Sequence, residues 1–242
     1  MTIVKKIYRI KLPLNLDEYR RGIRYAISKM TTDEITYIQF NRKFENNIIK
    51  TESRKFISLE KRMPYLVKKS LPAKALLQEE YSVTMELVNG QPTDNLDGHT
   101  THTIYKNQYF DESTFKMTVE AKVCGNDNFN FNNPDIKIED IDFRTYFKTP
   151  LIKVNDRDYS GNFEEKYNTV YIYKYIEIEI NSTLFGWMCK KIAESLRDTI
   201  VELQHVILRD YDSWTKMSET ELENYENKII KQFSKDKSTN EN

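Results

Sequence analysis

Cysteine is nearly absent from this 242-residue chain: only Cys124 and Cys189 occur, with no CxxC pair. That excludes a disulfide framework and fits a reducing compartment. Glycine and proline are scarce, six of each. No Gly- or Pro-rich linker divides the chain, so residues 1–242 read as one domain with a polar tail over 234–242. Net charge is absent as well, with 37 Lys plus Arg against 37 Asp plus Glu. Bulk nucleic-acid binding, which wants a strongly basic surface, is thereby excluded, and purely electrostatic attachment to an anionic membrane is weakened. No apolar run is long enough to span a bilayer, and Met1–Lys6 carries no secretory core. The expectation is a cytoplasmic protein in which the sequon Asn181-Ser182-Thr183 stays unmodified. GxGxxG, P-loop and GxSxG motifs are missing, so catalysis has no positive support. His99 and His102 have metal-like spacing but no ligand set beside them; they read as members of a polar loop, His205 as a surface residue, and no metal or cofactor is expected.

What is present is aromatic and alternating. Aromatics make up 12% of residues, enough for a large core or a lined cavity. Tyr8, Ile10 and Leu12 alternate with charges up to Pro13, a first strand. Asn15 and Glu18 form a capping-box signature ahead of a helical stripe, Tyr19, Ile23, Ile27 and Met30. Strands are predicted from Ile35 and over 53–59, a helix over 72–77, and strands at 81–87, 102–109 and 115–123. In the fourth, Tyr81, Val83, Met85 and Leu87 form the apolar row. Segment 125–168 gives no clear reading beyond a polar turn at 125–134. Thr169 to Ile180 is a strand, and a long amphipathic helix runs from Met188 to Tyr211, about 40 Å at 1.5 Å per residue. Ser218 and Glu221 cap a last helix ending near Phe233.

One residue breaks the pattern in a useful way. On the strand Thr169–Ile180, one face carries Val170, Ile172, Lys174, Ile176, Ile178 and Ile180. A lysine in an apolar row is buried, paired, or facing a ligand. Ser53 and Lys55 share a face with Ile57 and Leu59, and Glu226 lies in the helical stripe Leu222, Ile229, Phe233. Each alone suits an ion pair; for Lys55 and Glu226 that pair would be a mutual bridge holding the last helix to the sheet. Together they suit a greasy interior with a polar end, which fits an amphiphile. The element order gives an α+β fold of the helix-grip type: a curved, mostly antiparallel sheet wrapped around a long C-terminal helix and enclosing a cavity.

Several segments resemble the class I phosphatidylinositol transfer proteins, members of the START-like helix-grip superfamily. They are Tyr8-Arg-Ile-Lys-Leu-Pro-Leu-Asn-Leu-Asp-Glu-Tyr19 with Gly22 and Tyr25, then Arg62-Met-Pro64, then Pro72-Ala-Lys-Ala-Leu76 with Glu80. Phe115-Lys-Met-Thr-Val-Glu120, Tyr173-Lys174, Phe185-Gly186, and Trp214 with Ser218-Glu-Thr-Glu-Leu222 and Glu226 complete the set. The resemblance implies one enclosed phospholipid with its head group held by Ser53, Lys55, Thr84 and Glu226, and its phosphate by Lys174 and Thr103. Ser53 stands for a threonine of the family and Thr84 for an asparagine. Ile23 replaces a glutamine and Ala121 a threonine in the phosphate shell, and Thr101 falls where the family has a reactive cysteine. The membrane-touching loop, a tryptophan pair in the family, here reads Leu184, Phe185, Gly186, Trp187.

The resulting expectation is a monomeric, non-enzymatic carrier, transiently membrane-associated. It moves phosphatidylinositol between membranes, with phosphatidylcholine as a second cargo, and needs no cofactor and no nucleic acid. The alternatives are a lipid sensor or presenter without net transfer, and a helix-grip enzyme acting on an apolar substrate.

Overall fold

The computed structural model describes residues 1–61, 65–88, 98–127, 135–146, 153–154, 157–183 and 185–234. The elements run β1 (Thr2–Leu12), α1 (Leu16–Met30), β2 (Ile35–Glu45), β3 (Ile48–Ser58), α2 (Tyr65–Ser70), β4 (Leu77–Leu87), β5 (His99–Asn107), β6 (Phe115–Cys124) and β7 (Ile138–Ile141). There follow a two-residue pair, β8 (Lys153–Val154) and β9 (Arg157–Asp158), then β10 (Val170–Ile180), α3 (Met188–Arg209), α4 (Tyr211–Thr215) and α5 (Glu219–Gln232). Among the described residues eight strands form one sheet in the order β2-β3-β4-β5-β6-β10-β1-β7. All neighbours are antiparallel except β1 and β7. This is the α+β helix-grip architecture.

Local chemistry sets the element ends. Asn15 caps α1 by accepting from the Glu18 amide while Glu18 returns the bond to the Asn15 amide, and Ser218 with Glu221 does the same for α5. Asn46 and Asn47 both adopt positive φ, 51° and 61°, the two-residue turn that matches strand twist. It joins β2 to β3 as a hairpin, so the strand expected from Ser53 begins at Ile48. Gly22 lets α1 approach α3: an added Cβ would lie 2.7 Å from Ile207 Cγ2 and 3.1 Å from the Trp214 ring.

Several sequence expectations are corrected. The long helix ends at Arg209, about 33 Å from its start, because Asp210 leaves helical geometry and Tyr211 opens α4. Residues 73–76 form a single 3-10 turn feeding directly into β4. His99 is in no polar loop: it opens β5 and is buried, whereas His102, three residues on, points outward beside Glu120 at 3.6 Å. His205 is half-buried on α3.

The core follows from which sheet face the helices cover. Ile10, Leu12, Ile172, Ile176 and Ile178 are fully buried together with Ile207, Leu208, Trp214 and Leu222. The long helix thus seals β1 and β10. On the β2–β5 side the same sheet face meets α1 and α5 more sparingly, through Tyr19 against His99 (centroids 5.8 Å) and Arg42 to Glu226. Strand β4 is turned opposite to its apolar row. Tyr81, Val83 and Met85 are exposed, 43%, 36% and 43%, and Glu80, Ser82, Thr84 and Glu86 face the helices.

Candidate functional site

Strand register builds the site in rungs across the inner face. From β10 to β2 one rung runs Lys174, Ala121, Thr101, Thr84, Thr51, Arg42. The next runs Ile176, Val119, Thr103, Ser82, Ser53, Phe40, and the third Ile178, Met117, Tyr105, Glu80, Lys55, Tyr37. Period-two alternation carries all of them to one side of the sheet. Six hydroxyls therefore lie side by side over β3, β4 and β5. Ser82 and Thr103 hydroxyls are 3.1 Å apart, as are those of Thr84 and Thr101. Ser53, Lys55, Ser82, Thr84, Thr101 and Lys174 are only half-buried although they face the helices. Accessible surface on an inward face is the mark of an interior space, in contrast to the closed packing of Ile172 and Ile176.

Lys174 borders that space without a partner. Among the described residues no hydrogen-bond acceptor reaches it and no carboxylate lies within ion-pair distance; its register neighbours are Tyr8 on β1 and Ala121 on β6. Desolvation pushes its ammonium down to about 8, against the opposing charge of Glu80. Lys174 in turn helps burial push the His99 imidazole down to about 3. Lys55 is the opposite case. Burial alone would lower it, but Glu80 at 2.9 Å and the Tyr37 ring at 5.3 Å hold its ammonium above the usual lysine range.

The last helix does not meet Lys55 as expected. Glu226 is clasped by Arg42 through both carboxylate oxygens, one at 2.8 Å, and by Arg24 at 3.1 Å, while Arg24 also holds Glu219. Arginine takes a carboxylate bidentately and outcompetes the shorter reach of lysine here. The bridge pairing Lys55 with Glu226 is thus replaced by Lys55–Glu80 within the sheet and Arg24–Glu226–Arg42 between α1, α5 and β2. Thr84 and Thr103 are brought to the hydroxyl ladder; Ile23, 8% exposed on α1, and Ala121, 6% exposed on β6, contribute only apolar surface.

Three inward polar residues escaped the sequence reading. Glu80 fixes Lys55. Arg42 spans Thr51 at 3.0 Å and Glu226. Glu86 lies opposite His99 in register, buried, with one carboxylate oxygen unpartnered; desolvation drives its acid up to about 7 against the pull of Arg42, Arg20 and Arg24. The available signal was spacing: Glu80, Ser82, Thr84 and Glu86 share one face of β4.

Away from the hydroxyl ladder, the β10–α3 loop packs over the core. Phe185 is half-buried against Phe110, ring centroids 5.6 Å apart, and Trp187 is 52% exposed. Leu184 lies outside the described residues. Gly186 touches Thr2 so closely that any side chain there would meet its hydroxyl. Between Leu59, Phe110, Phe115, Phe185, Met188 and Ile192 the cavity is about 20 Å³, room for about one water molecule. An acyl chain entering here must part these side chains.

Among the described residues no helix is long and apolar enough to cross a membrane, and no cluster of three or more His, Cys, Asp or Glu is arranged for a metal. Comparison with curated proteins gives no significant match. The sequence profile of the phosphatidylinositol transfer proteins matches residues 3–146, more than half of the chain and everything from β1 through β7. The chain belongs to the phosphatidylinositol transfer protein family, a family of phospholipid-binding and transfer proteins.

Proposed function

We propose that the protein carries phosphatidylinositol between membranes, with phosphatidylcholine as the exchange cargo, acting as a monomer that docks transiently on the bilayer. The observation that carries this reading is Lys174: an inward ammonium with no carboxylate within ion-pair distance among the described residues, beside a ladder of hydroxyls. A phosphodiester supplies the missing negative charge. The inositol hydroxyls then exchange hydrogen bonds with Ser53, Ser82, Thr84, Thr101 and Thr103, and Lys55, already ordered by Glu80, donates to the ring. Glu226 acts through its arginine clasp, which holds α5 over the head group.

Transfer needs no covalent step. Each methylene drawn through water costs about 0.8 kcal/mol, so a carrier lowers the barrier by replacing water with an apolar lining. Phe185 and Trp187 are the docking residues: the exposed indole enters the interface, and movement of Phe185 away from Phe110 opens the narrow apolar end. A vesicle-to-vesicle assay with labelled phosphatidylinositol and phosphatidylcholine tests the reading, together with mass spectrometry of lipid co-purifying with the protein. Net movement of phosphatidylinositol is expected. Bound phosphatidylinositol without net movement favours a presenter, and turnover of an apolar substrate by a protein that carries no phospholipid favours an enzyme.

A further inference from the structure

Lys174 has the setting of a nucleophilic amine. It lies between Ile172 and Ile176 on its own strand, with Tyr8 and Ala121 beside it and no carboxylate in reach among the described residues. Ala121 stands where a hydroxyl would have solvated the ammonium. The titratable groups that act on it are Glu80, across the space on β4, and His99 on β5, which burial keeps neutral. An apolar surround favours the neutral amine, and desolvated lysines are the ones that form Schiff bases. With its ammonium down to about 8, roughly one molecule in ten is neutral at pH 7, against roughly one in 3,000 for an ordinary lysine.

We propose that Lys174 is also a covalent capture point for long-chain aldehydes, holding them as a reversible imine inside the chamber. The proposal rests on the lipid-chamber reading above. A fatty aldehyde brings an apolar tail for the lining and a small neutral head that asks for no counter-charge. The Nζ lone pair attacks the carbonyl carbon and the C=O π pair moves to oxygen. A proton passes from nitrogen to that oxygen, giving a carbinolamine. The nitrogen lone pair then forms C=N as the C–O bond breaks, and the oxygen leaves with a second proton as water. Amine plus aldehyde gives imine plus water, with no change of oxidation state. A phospholipid in the chamber blocks the reaction, because its phosphate holds Lys174 protonated.

The test uses the full chain stripped of bound lipid and given hexadecanal from a cyclodextrin complex, with cyanoborohydride to reduce the imine. Intact mass and peptide mapping should show one hexadecyl group per chain, at Lys174. Yield should fall at least tenfold in Lys174→Arg, which keeps the charge and forms no imine, and at least tenfold when vesicles carrying excess phosphatidylinositol are added. Labelling of exposed Lys190 and Lys191 to the same extent as Lys174 in the unsubstituted protein would overturn the proposal, as would undiminished labelling of Lys174 under excess phosphatidylinositol. The first of these needs no variant to fold. The phosphatidylinositol transfer assay is run separately: transfer without adduct sinks only the imine, and adduct without transfer sinks only the carrier function.

Discussion

Replacing Lys174 by methionine should stabilise the lipid-stripped protein while weakening its hold on phospholipid. The folded protein keeps the ammonium near 8, against 10.5 for an ordinary lysine. A depressed lysine pKa means the fold disfavours the charged form. Below pH 8 the unfolded chain and the folded protein are both protonated, and the full penalty stands, about 3 kcal/mol. Between pH 8 and 10.5 the folded protein releases its proton first, so stability rises with pH through that window. Methionine fills much the same volume without charge. Lys174→Met should therefore raise stability by about 3 kcal/mol at pH 7, about 6–12 °C in Tm for a chain of this size, and by less than half as much at pH 9.5. Denaturant melts of lipid-stripped protein at the two pH values check it. With phospholipid bound the order should reverse, because only the lysine neutralises a phosphate. A variant less stable than the parent at pH 7, or a difference that ignores pH, would refute the reading of Lys174 as an unpaired inward charge.

Four further outcomes follow from the same geometry. Glu226→Ala leaves Arg42 without its carboxylate and should cost about 3–5 kcal/mol in chemical denaturation; loss of phosphatidylinositol binding at unchanged stability would instead make Glu226 a direct head-group ligand. Lys55→Ala should lower phosphatidylinositol uptake roughly tenfold, on the order of one charge-assisted hydrogen bond, and phosphatidylcholine uptake much less; equal losses would make Lys55–Glu80 purely structural. Trp187→Ala should slow vesicle-to-vesicle transfer while melting within about 0.5 kcal/mol of the parent, since its indole is 52% exposed. Val83→Thr and Met85→Thr should each be neutral within about 0.5 kcal/mol, and a loss above 2 kcal/mol would mean that β4 presents its apolar row inward.

Strand β4 shows where the sequence was legible and where it misled. Alternation located the strand, as it located β1, β6 and β10, because period two survives whichever face is wet. It could not say which face was inside. On β6 and β10 the apolar row is buried in the core and the usual rule holds. On β4 the rule inverts, since the inward face meets an interior lined with hydroxyls and Tyr81, Val83 and Met85 are left outside. The strand read from Ile35 is β2, but the same inversion hid the first half of β3, whose inward positions include Thr51 and Ser53, so only the Asn46–Asn47 turn could have revealed the hairpin. Lys174 was visible because it was a single polar intruder in an apolar row. Glu80 and Glu86 were not, being polar residues in a row already polar. The parallel pairing of β7 with β1 joins segments more than 120 residues apart, and nothing local announces it.

The two positions at which the resemblance implies a polar phosphate contact and this chain has none, Ile23 and Ala121, have a common physical consequence. Ile23 is taken up by the core packing of α1, and the arginines that directly follow Tyr19 and Ile23, Arg20 and Arg24, are engaged by Asp17, Glu219 and Glu226. The polar capacity of α1 goes into holding α5, and none of it reaches Lys174. On β6, Ala121 offers no hydroxyl. The polar atoms left facing Lys174 across the space come from β3, β4 and β5: Ser53, Ser82, Thr84, Thr101, Thr103 and the Lys55–Glu80 pair. Hydroxyls both donate and accept, so this wall adapts to a sugar ring more readily than to a quaternary ammonium, which can do neither. A bound choline would leave the ladder bonded only to itself, as the 3.1 Å contacts already allow, whereas inositol adds bonds the ladder lacks. On the proposed reading, preference for the inositol head group resides in these three adjacent strands.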